Sequence, residues 1–460
     1  MRRRCVLAGC VVLAVVAASC GNSKSGTTAQ NTPSTRPDNT PLTTASPQEL
    51  RTNTPRPGVT GVTDSTIRVA VITSTTNPIG GNYHTLIDGI HAYFKVINDH
   101  GGIYGRRLVT VSDRDDQIGL QNSQQTTASL ADDNAFATFE ATLQFTGANL
   151  VARAHQPTFI WNTNPEFAST PTSDHSNIFA NNPALCFKCV GPLLSWLAEK
   201  NGITKVGVLG YGVASESKIC AEGTRDDIEK YAPGKVRVVF FDDTIPFAGD
   251  ITADVARMKQ KGVQLVSTCL DSNEVLKLAK TMKVQGLHAI QNLLNAYDHD
   301  FIRENGALFE GSFIESQYVP WETKPQSLAT QQYLAGIKAV VGDPHEVTEM
   351  GWILAKELVD GLKGAGPEFT QQKVIDYLNA QTAYDADGLI PPIDWTTGHV
   401  DPQTHPDVRA NQECLPVMRI EQGRFVPYET PNRTPWTCLD TNKDASQPAV
   451  YRSFAPGTVG

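Results

Sequence analysis

From Thr66 onward, short apolar runs alternate with helix-length segments, and this rhythm constrains the fold more than any other feature of the chain. Ile67-Arg68-Val69-Ala70-Val71-Ile72 reads as a short buried strand, followed by a Gly/Asn/Pro loop. Leu86, Ile87, Ile90, Tyr93, Phe94 and Ile97 then recur at helical spacing and mark one apolar face. Asn98-Asp99-His100-Gly101-Gly102 stops that helix, because glycine adopts the left-handed conformation at little cost. Further strands are predicted over residues 108–112, 135–140 and 158–161, each set off from the next by a helix-sized segment.

The pattern restarts after Asn182. A helix carries Leu193, Leu194, Trp196 and Leu197; strands are predicted over 205–209, 236–241, 263–269 and 287–294, with a helix over 216–231. Helices near 328–341 and 345–362 follow, and a hairpin over 417–426 turns at Gly423. Alternating strands and helices predict parallel sheets covered on both faces, and two successive sets predict two lobes. The fold class is therefore α/β, with two doubly wound, Rossmann-like lobes.

The first twenty residues have a different purpose. Arg2, Arg3 and Arg4 precede an apolar run from Val6 to Ala18, which is too short to span a membrane stably and reads as an export signal. Ala17-Ala18-Ser19-Cys20 resembles a bacterial lipoprotein cleavage site, although Ala17 stands where leucine is commonest. Leu7-Ala8-Gly9-Cys10 is locally the closer match, but only five residues separate Cys10 from the arginines, so Cys20 is the expected lipidation site. Residues 21–61 are dominated by Thr, Pro, Asn and Ser and cannot bury enough surface to offset ordering entropy. They read as a disordered tether reaching on the order of 35 Å. The expected organisation is a signal over 1–20 and a tether over 21–61. Lobe 1 then takes 62–182 and 295–385, lobe 2 takes 183–294 and 386–430, and a tail takes 431–460.

Loss of the three signal arginines moves the net charge from −9 to −12. An acidic chain offers no footprint for nucleic acid and repels anionic headgroups, so membrane attachment rests on the lipid. Six cysteines follow Cys20, and an even number in an exported chain predicts disulfides among Cys186, Cys189, Cys220, Cys269, Cys414 and Cys438. Cys414 and Cys438 bracket a hairpin and form the favoured pair, with two bridges expected among the other four. The competing reading of Cys186-x-x-Cys189 as a redox or zinc motif lacks a second such motif.

Catalytic strings fail on inspection. Gly210-Tyr211-Gly212 follows a strand, but Ser215 occupies the position where a dinucleotide fingerprint needs Gly or Ala. His345-Glu346-Val347-Thr348-Glu349 lacks the second histidine of a zinc-protease helix. Asp113, Asp115 and Asp116 read as a solvated acidic loop in preference to a cation site. No catalytic residue, metal or cofactor is expected. The positive signal lies in loops after strands, where open parallel sheets place ligands. The first lobe offers Tyr83, Thr142, Gln144, Thr146, Asn162, Thr163 and Asn164; the second offers Tyr211 and Asp271. Thr146-Gly147 precedes a helix, so a hydroxyl and backbone N–H groups there could meet a carboxylate. The plain alternative is that these Thr and Asn residues cap helices.

Ile97-Asn98-x-x-Gly101-Gly102-Ile103-x-Gly105-Arg106 resembles the extracytoplasmic leucine/isoleucine/valine-binding proteins of ABC importers. Trp161-Asn162-Thr163-Asn164-Pro165-Glu166 is similar to the segment after their fourth strand, and Glu310-Gly311-Ser312-Phe313-Ile314 to their return strand into the first lobe. The resemblance covers roughly residues 62–428. It implies a type I periplasmic-binding fold, with two lobes joined by a three-crossover hinge and a cleft that closes on a ligand. It also implies Thr146 and Thr163 for a ligand carboxylate, Asp271 for an amino group, and Tyr83 and Tyr211 as walls. Phe145, Trp161, the Gly-Tyr-Gly-Val loop and the crowded cysteines depart from the pattern. An aromatic or apolar ligand, an amide or a peptide fragment therefore stays open beside an amino acid.

The expected function is that of a lipid-anchored, non-enzymatic substrate-binding protein on the outer face of the cell membrane. Its expected partners are a small solute and ABC permease subunits, and the protein itself is expected to be a monomer. A sensor or adaptor of the same fold is the rival reading; an exported enzyme is a third, without a supporting motif.

Overall fold

A computed structural model describes residues 55–77, 81–162, 176–182, 190–294, 296–399, 414–428, 436–440 and 450–452. Cys20, the signal and most of the tether lie outside this set, as do Thr163, Asn164, Cys186 and Cys189. The first sheet contains β1 (Thr66–Thr73), β2 (Arg107–Asp115), β3 (Ala137–Ala141), β4 (Thr158–Asn162) and β5 (Ile178–Asn182). They lie in the order β2-β1-β3-β4-β5, all parallel. Ile67, Val69, Ala70, Val71 and Ile72 of β1 are wholly buried, because a parallel strand covered on both faces has no solvent side. Helices α1 (Leu86–Asp99), α2 (Asn122–Asp132) and α3 (Ala148–Ala154) follow β1, β2 and β3.

The Asn98-to-Arg106 run proves to be a structural turn between α1 and β2. Asn98 exchanges two 2.9 Å hydrogen bonds with the backbone of Leu108. Gly101, Gly102, Tyr104 and Gly105 all take positive φ, and a Cβ on Gly102 would collide with the Arg106 carbonyl. The Arg106 Nε–H then donates to the Thr63 carbonyl at 2.8 Å, which ties the turn down.

The second lobe supplies α4 (Leu193–Lys200), β6 (Lys205–Tyr211), α5 (Ser215–Tyr231), β7 (Arg237–Ile245) and α6 (Thr252–Lys261). It continues with β8 (Leu265–Cys269), α7 (Ser272–Gln285), β9 (Ile290–Leu293), α8 (His299–Asn305) and β10 (Phe313–Glu315). Helices α9 (Leu328–Val340), α10 (Glu346–Ala365) and α11 (Gln371–Asn379) come next. The chain then forms β11 (Cys414–Leu415), β12 (Val417–Glu421) and β13 (Arg424–Pro427), then β14 (Thr437–Asp440) and β15 (Val450–Arg452). The second sheet runs β13-β12-β10-β9-β8-β6-β7; it is parallel from β7 to β10 and antiparallel beyond. Gln422 and Gly423 both have positive φ, as a two-residue hairpin turn demands.

Two expectations about the crossings are corrected. Residues 310–314 do not return to the first lobe. Phe313 and Ile314 are fully buried where β10 pairs with β9 and β12, so this strand completes the second sheet. Residues 386–399 likewise stay with the first lobe. Trp395 is buried edge-on against Phe179 of β5 at 5.1 Å, and its Nε1–H donates to Glu357 of α10 at 2.9 Å. The apolar demand of these side chains, which the strand–helix rhythm does not reveal, decides where the chain crosses.

Helices α1 and α10 cross at reciprocal glycines. A Cβ on Gly89 would overlap the Thr348 carbonyl, and one on Gly351 would overlap the Leu86 carbonyl. Cys220 of α5 and Cys269 at the end of β8 form a disulfide with Cα atoms 6.0 Å apart, one of the bridges expected. Strands β11, β14 and β15 form a small antiparallel sheet in which Cys414 and Cys438 stand opposite in register; their side chains are not among those described. No helix among the described residues is long and apolar enough to cross a membrane.

Candidate ligand-binding cleft

In the second lobe, two predicted residues meet. Tyr211 ends β6 with its ring 4.5 Å from that of Phe247, and its hydroxyl donates to Oδ2 of Asp271. Asp271 is the N-cap of α7: its Oδ1 accepts from the N–H groups of Asn273 at 2.8 Å and Glu274 at 3.1 Å. One carboxylate oxygen therefore belongs to the helix, while the other is oriented by the tyrosine. Burial and then the Asp271 carboxylate hold the Tyr211 phenol well above its ordinary pKa, so it stays a neutral donor.

In the first lobe, Tyr83 opens a 3-10 turn over Tyr83–Thr85, just before α1. Its ring packs 5.6 Å from that of Trp161 on β4, and the Trp161 indole donates to Oε1 of Gln317 at 3.2 Å. Burial raises the Tyr83 phenol first, and the charges of Asp271, Glu346 and Glu216 raise it further. Asp271 and Glu216 belong to the second lobe, Glu346 to the first turn of α10.

The backbone N–H groups of the expected carboxylate cradle are taken up within the protein. The Thr146 N–H donates to the Gln144 carbonyl at 2.9 Å, and the Ala148 N–H to the Phe145 carbonyl at 3.2 Å. The Gly147 N–H donates to Oδ1 of Asn122 at 2.7 Å. The Thr146 hydroxyl accepts the Ser123 N–H at 3.1 Å, so it serves the start of α2. The backbone donors are consumed because the loop after β3 closes onto α2, whereas the Thr146 hydroxyl only accepts and keeps its O–H to donate. Gln144 lies in that same turn, its backbone N–H donating to Thr142 Oγ1 at 3.3 Å and its Cβ against Gly119. Asn162 ends β4 in register with Asn182; its side chain is not among those described, and Thr163 lies outside the described residues.

A buried network that the sequence reading missed fixes these loops. Asn122 donates to Glu140 at 2.8 Å and to Asp116 at 3.2 Å, while Asp116 accepts the Ser74 hydroxyl at 2.7 Å. Asp116 is fully buried, which corrects its reading as part of a solvated loop. Burial, reinforced by the neighbouring Asp116, pushes Glu140 up to about 8. Glu216 and Glu346 were missed as well. Glu346 sits in the string examined for zinc ligands, but only the packing of α10 against α1 brings it near Tyr83.

The family model described as "Periplasmic binding protein" matches residues 66–424, from the first residue of β1 to the first of β13. The chain belongs to the periplasmic binding protein family. No curated protein matches it by sequence. Among solved structures, this periplasmic binding protein resembles a branched-chain amino acid ABC transporter protein from Thermus thermophilus with bound valine (17% identity, TM-score 0.64, 79% of this chain and 96% of that one). It also resembles a fatty acid ABC transporter substrate-binding protein from Thermomonospora curvata (19%, 0.63, 81% and 93%). A solute-binding protein from R. palustris in complex with benzoate is similar at 16% identity and TM-score 0.61, over 81% of this chain and 98% of that one. At these identities the likeness establishes the shared two-lobed fold.

Proposed function

We propose that this protein is the substrate-binding component of an ABC importer, exported and held by lipid on Cys20 at the outer face of the membrane. It captures a small organic solute between its lobes and presents it to a permease without altering it chemically. One observation carries the reading. In a chain that matches the periplasmic binding protein family model over residues 66–424, the loops that follow the strands carry Tyr83 packed on Trp161 in the first lobe and Tyr211 bound to Asp271 in the second. A ligand that touches both lobes stabilises the closed arrangement by its differential affinity, and closure is the signal a permease can read. Lobe 1 comprises residues 62–182 with α9 to α11 and the segment to 399; lobe 2 comprises 190–315 with β12 and β13. Tyr83, Trp161, Tyr211 and Asp271 are the proposed contacts, with Gln144, Thr146, Asn162 and Thr163 as further first-lobe candidates.

The test is a thermal-shift screen of amino acids, amides, aromatic acids, amines and peptides, followed by small-angle scattering with each hit. A bound solute at a hundredfold excess over Kd adds about 2.7 kcal/mol of stability. Binding accompanied by a smaller radius of gyration supports capture by closure. A solute that binds without compaction counts against a cleft closed by both lobes.

A further inference from the structure

We infer that His299 and Glu322 form a proton-sensitive clasp between the lobes, beside the crossover from β10 to α9. That crossover leaves the second lobe at Ser316, whose N–H donates to the Pro416 carbonyl at 3.1 Å. It joins the first lobe at once. Gln317 accepts the Trp161 indole N–H at 3.2 Å, and the Val319 N–H donates to the Leu389 carbonyl at 2.9 Å. Two residues further on, the chain reaches back: Trp321 and Glu322 meet Tyr297 and His299, which follow β9 of the second lobe. Tyr297 supplies the fixed part of this contact. It is buried, its hydroxyl donates to Oε2 of Glu322 at 2.7 Å, and the same hydroxyl accepts the Trp321 N–H at 3.0 Å.

His299 supplies the part that changes. Its ring stacks on Trp321 at 4.8 Å and meets Phe425 of β13 edge-on at 4.9 Å. Among the described residues Nδ1 has no partner, so the hydrogen bonding of the ring is decided at Nε2. Two groups compete for that atom: Oε1 of Glu322, and the Trp321 indole N–H at 3.1 Å. A carboxylate only accepts and an indole N–H only donates, so one nitrogen cannot serve both. Without a proton, Nε2 accepts from Trp321 and turns its lone pair toward Glu322. With a proton it donates to Glu322, and a cationic ring makes that bond charge-assisted. Histidine ordinarily changes charge between about pH 5 and 8. The other acids nearby are otherwise engaged. Asp298 accepts the Phe301 N–H, Asp300 pairs with Arg303 at 2.6 Å, and burial drives Glu346 and Glu349 of α10 toward their neutral forms. Glu322 is therefore the carboxylate that answers the ring. A proton on His299 converts a single tie through Tyr297, about which the lobes turn, into a double tie that fixes their angle.

The test uses no solute, so its failure and that of the solute-binding reading are separate results. The full chain is followed from about pH 8 to about pH 5.5 as the parent, His299→Gln and Glu322→Gln. Indole fluorescence reads the stacked pair, because a protonated imidazole quenches an adjacent indole. The parent should show a transition in this range that His299→Gln loses. Small-angle scattering reads the lobes. The parent should sample a narrower range of sizes at the acid end than at the alkaline end. Glu322→Gln keeps an acceptor for Tyr297 but carries no charge for His299, so it should sample the wide range at both. Identical scattering of the parent at both ends would overturn the inference, as would a fluorescence transition that survives in His299→Gln. A scattering response that Glu322→Gln retains would also overturn it, since the buried acids elsewhere would then be its source. If His299→Gln does not fold, the scattering of Glu322→Gln against the parent decides alone.

Discussion

Asp271 shows how one residue can serve fold and function at once. Its Oδ1 caps α7 and its Oδ2 accepts the Tyr211 hydroxyl, so substitutions separate the two duties. Asp271→Ala should cost about 1 kcal/mol of stability through the lost cap. It should also cost roughly 1.5–3 kcal/mol of ligand binding, a ten- to hundredfold loss of affinity. Asn is an equally good cap but carries no charge, so Asp271→Asn should melt close to the parent yet bind weakly. Full affinity in Asp271→Asn, measured by calorimetric titration with a solute found in the thermal-shift screen, would leave Asp271 only its capping duty. At this scale the sequence was partly legible. Tyr83, Tyr211 and Asp271 stand out in the sequence because each follows a recognisable strand or opens a helix, and the structure brings the last two into contact. The position of Thr146 before a helix looks the same whether the N–H groups beside it face a ligand or, as that of Gly147 does, Asn122. Only the network around Asn122 and Asp116 distinguishes the two.

Elements depend on close approach, and glycine decides where that is possible. Gly351 on α10 meets the Leu86 carbonyl of α1 with no room for a methyl group, whereas Gly223 on α5 has nothing within 4 Å. Both lie inside helices, where alanine alone is the better helix former by about 1 kcal/mol. Gly223→Ala should therefore stabilise the protein by roughly 0.5–1 kcal/mol. Gly351→Ala should destabilise it by roughly 1–3 kcal/mol, through overpacking at the α1–α10 crossing. Chemical denaturation of the two variants checks the contrast, and equal effects would refute this account of the crossing. The strands and helices themselves were readable, as with β1, α1 and the Gly423 hairpin, since each follows from local periodicity or a local turn. The partners of β10 and of residues 386–399 were not, because they depend on which distant apolar surface is left uncovered.

The whole molecule buries more acids than its local patterns suggest, and this gives it a pH dependence. Burial lifts Glu140 and Glu346 to about 8, and Asp227 and Glu315 to about 7. In each case the folded pKa lies above the ordinary value, so between the two the folded state holds a proton that the unfolded state has lost. Stability must then fall as pH rises through that window, by roughly 1–2 kcal/mol per such group between pH 6 and 8. The protein without ligand should melt several degrees higher at pH 6 than at pH 8. A flat or rising melting temperature over that interval would show that these acids are ionised in the fold.

The sequence by itself determined the α/β class, the two successive sets of strands and helices and most strand and helix positions, because each is encoded in local periodicity, composition or a short motif. Only the tertiary structure decided where the chain crosses between sheets, which backbone donors are already consumed, and that Tyr211 and Asp271 meet across 60 residues of chain. Those outcomes depend on contacts between residues far apart in the chain. Whether a side chain is spent on its own fold or left for a ligand is settled by such neighbours, and no local pattern records them.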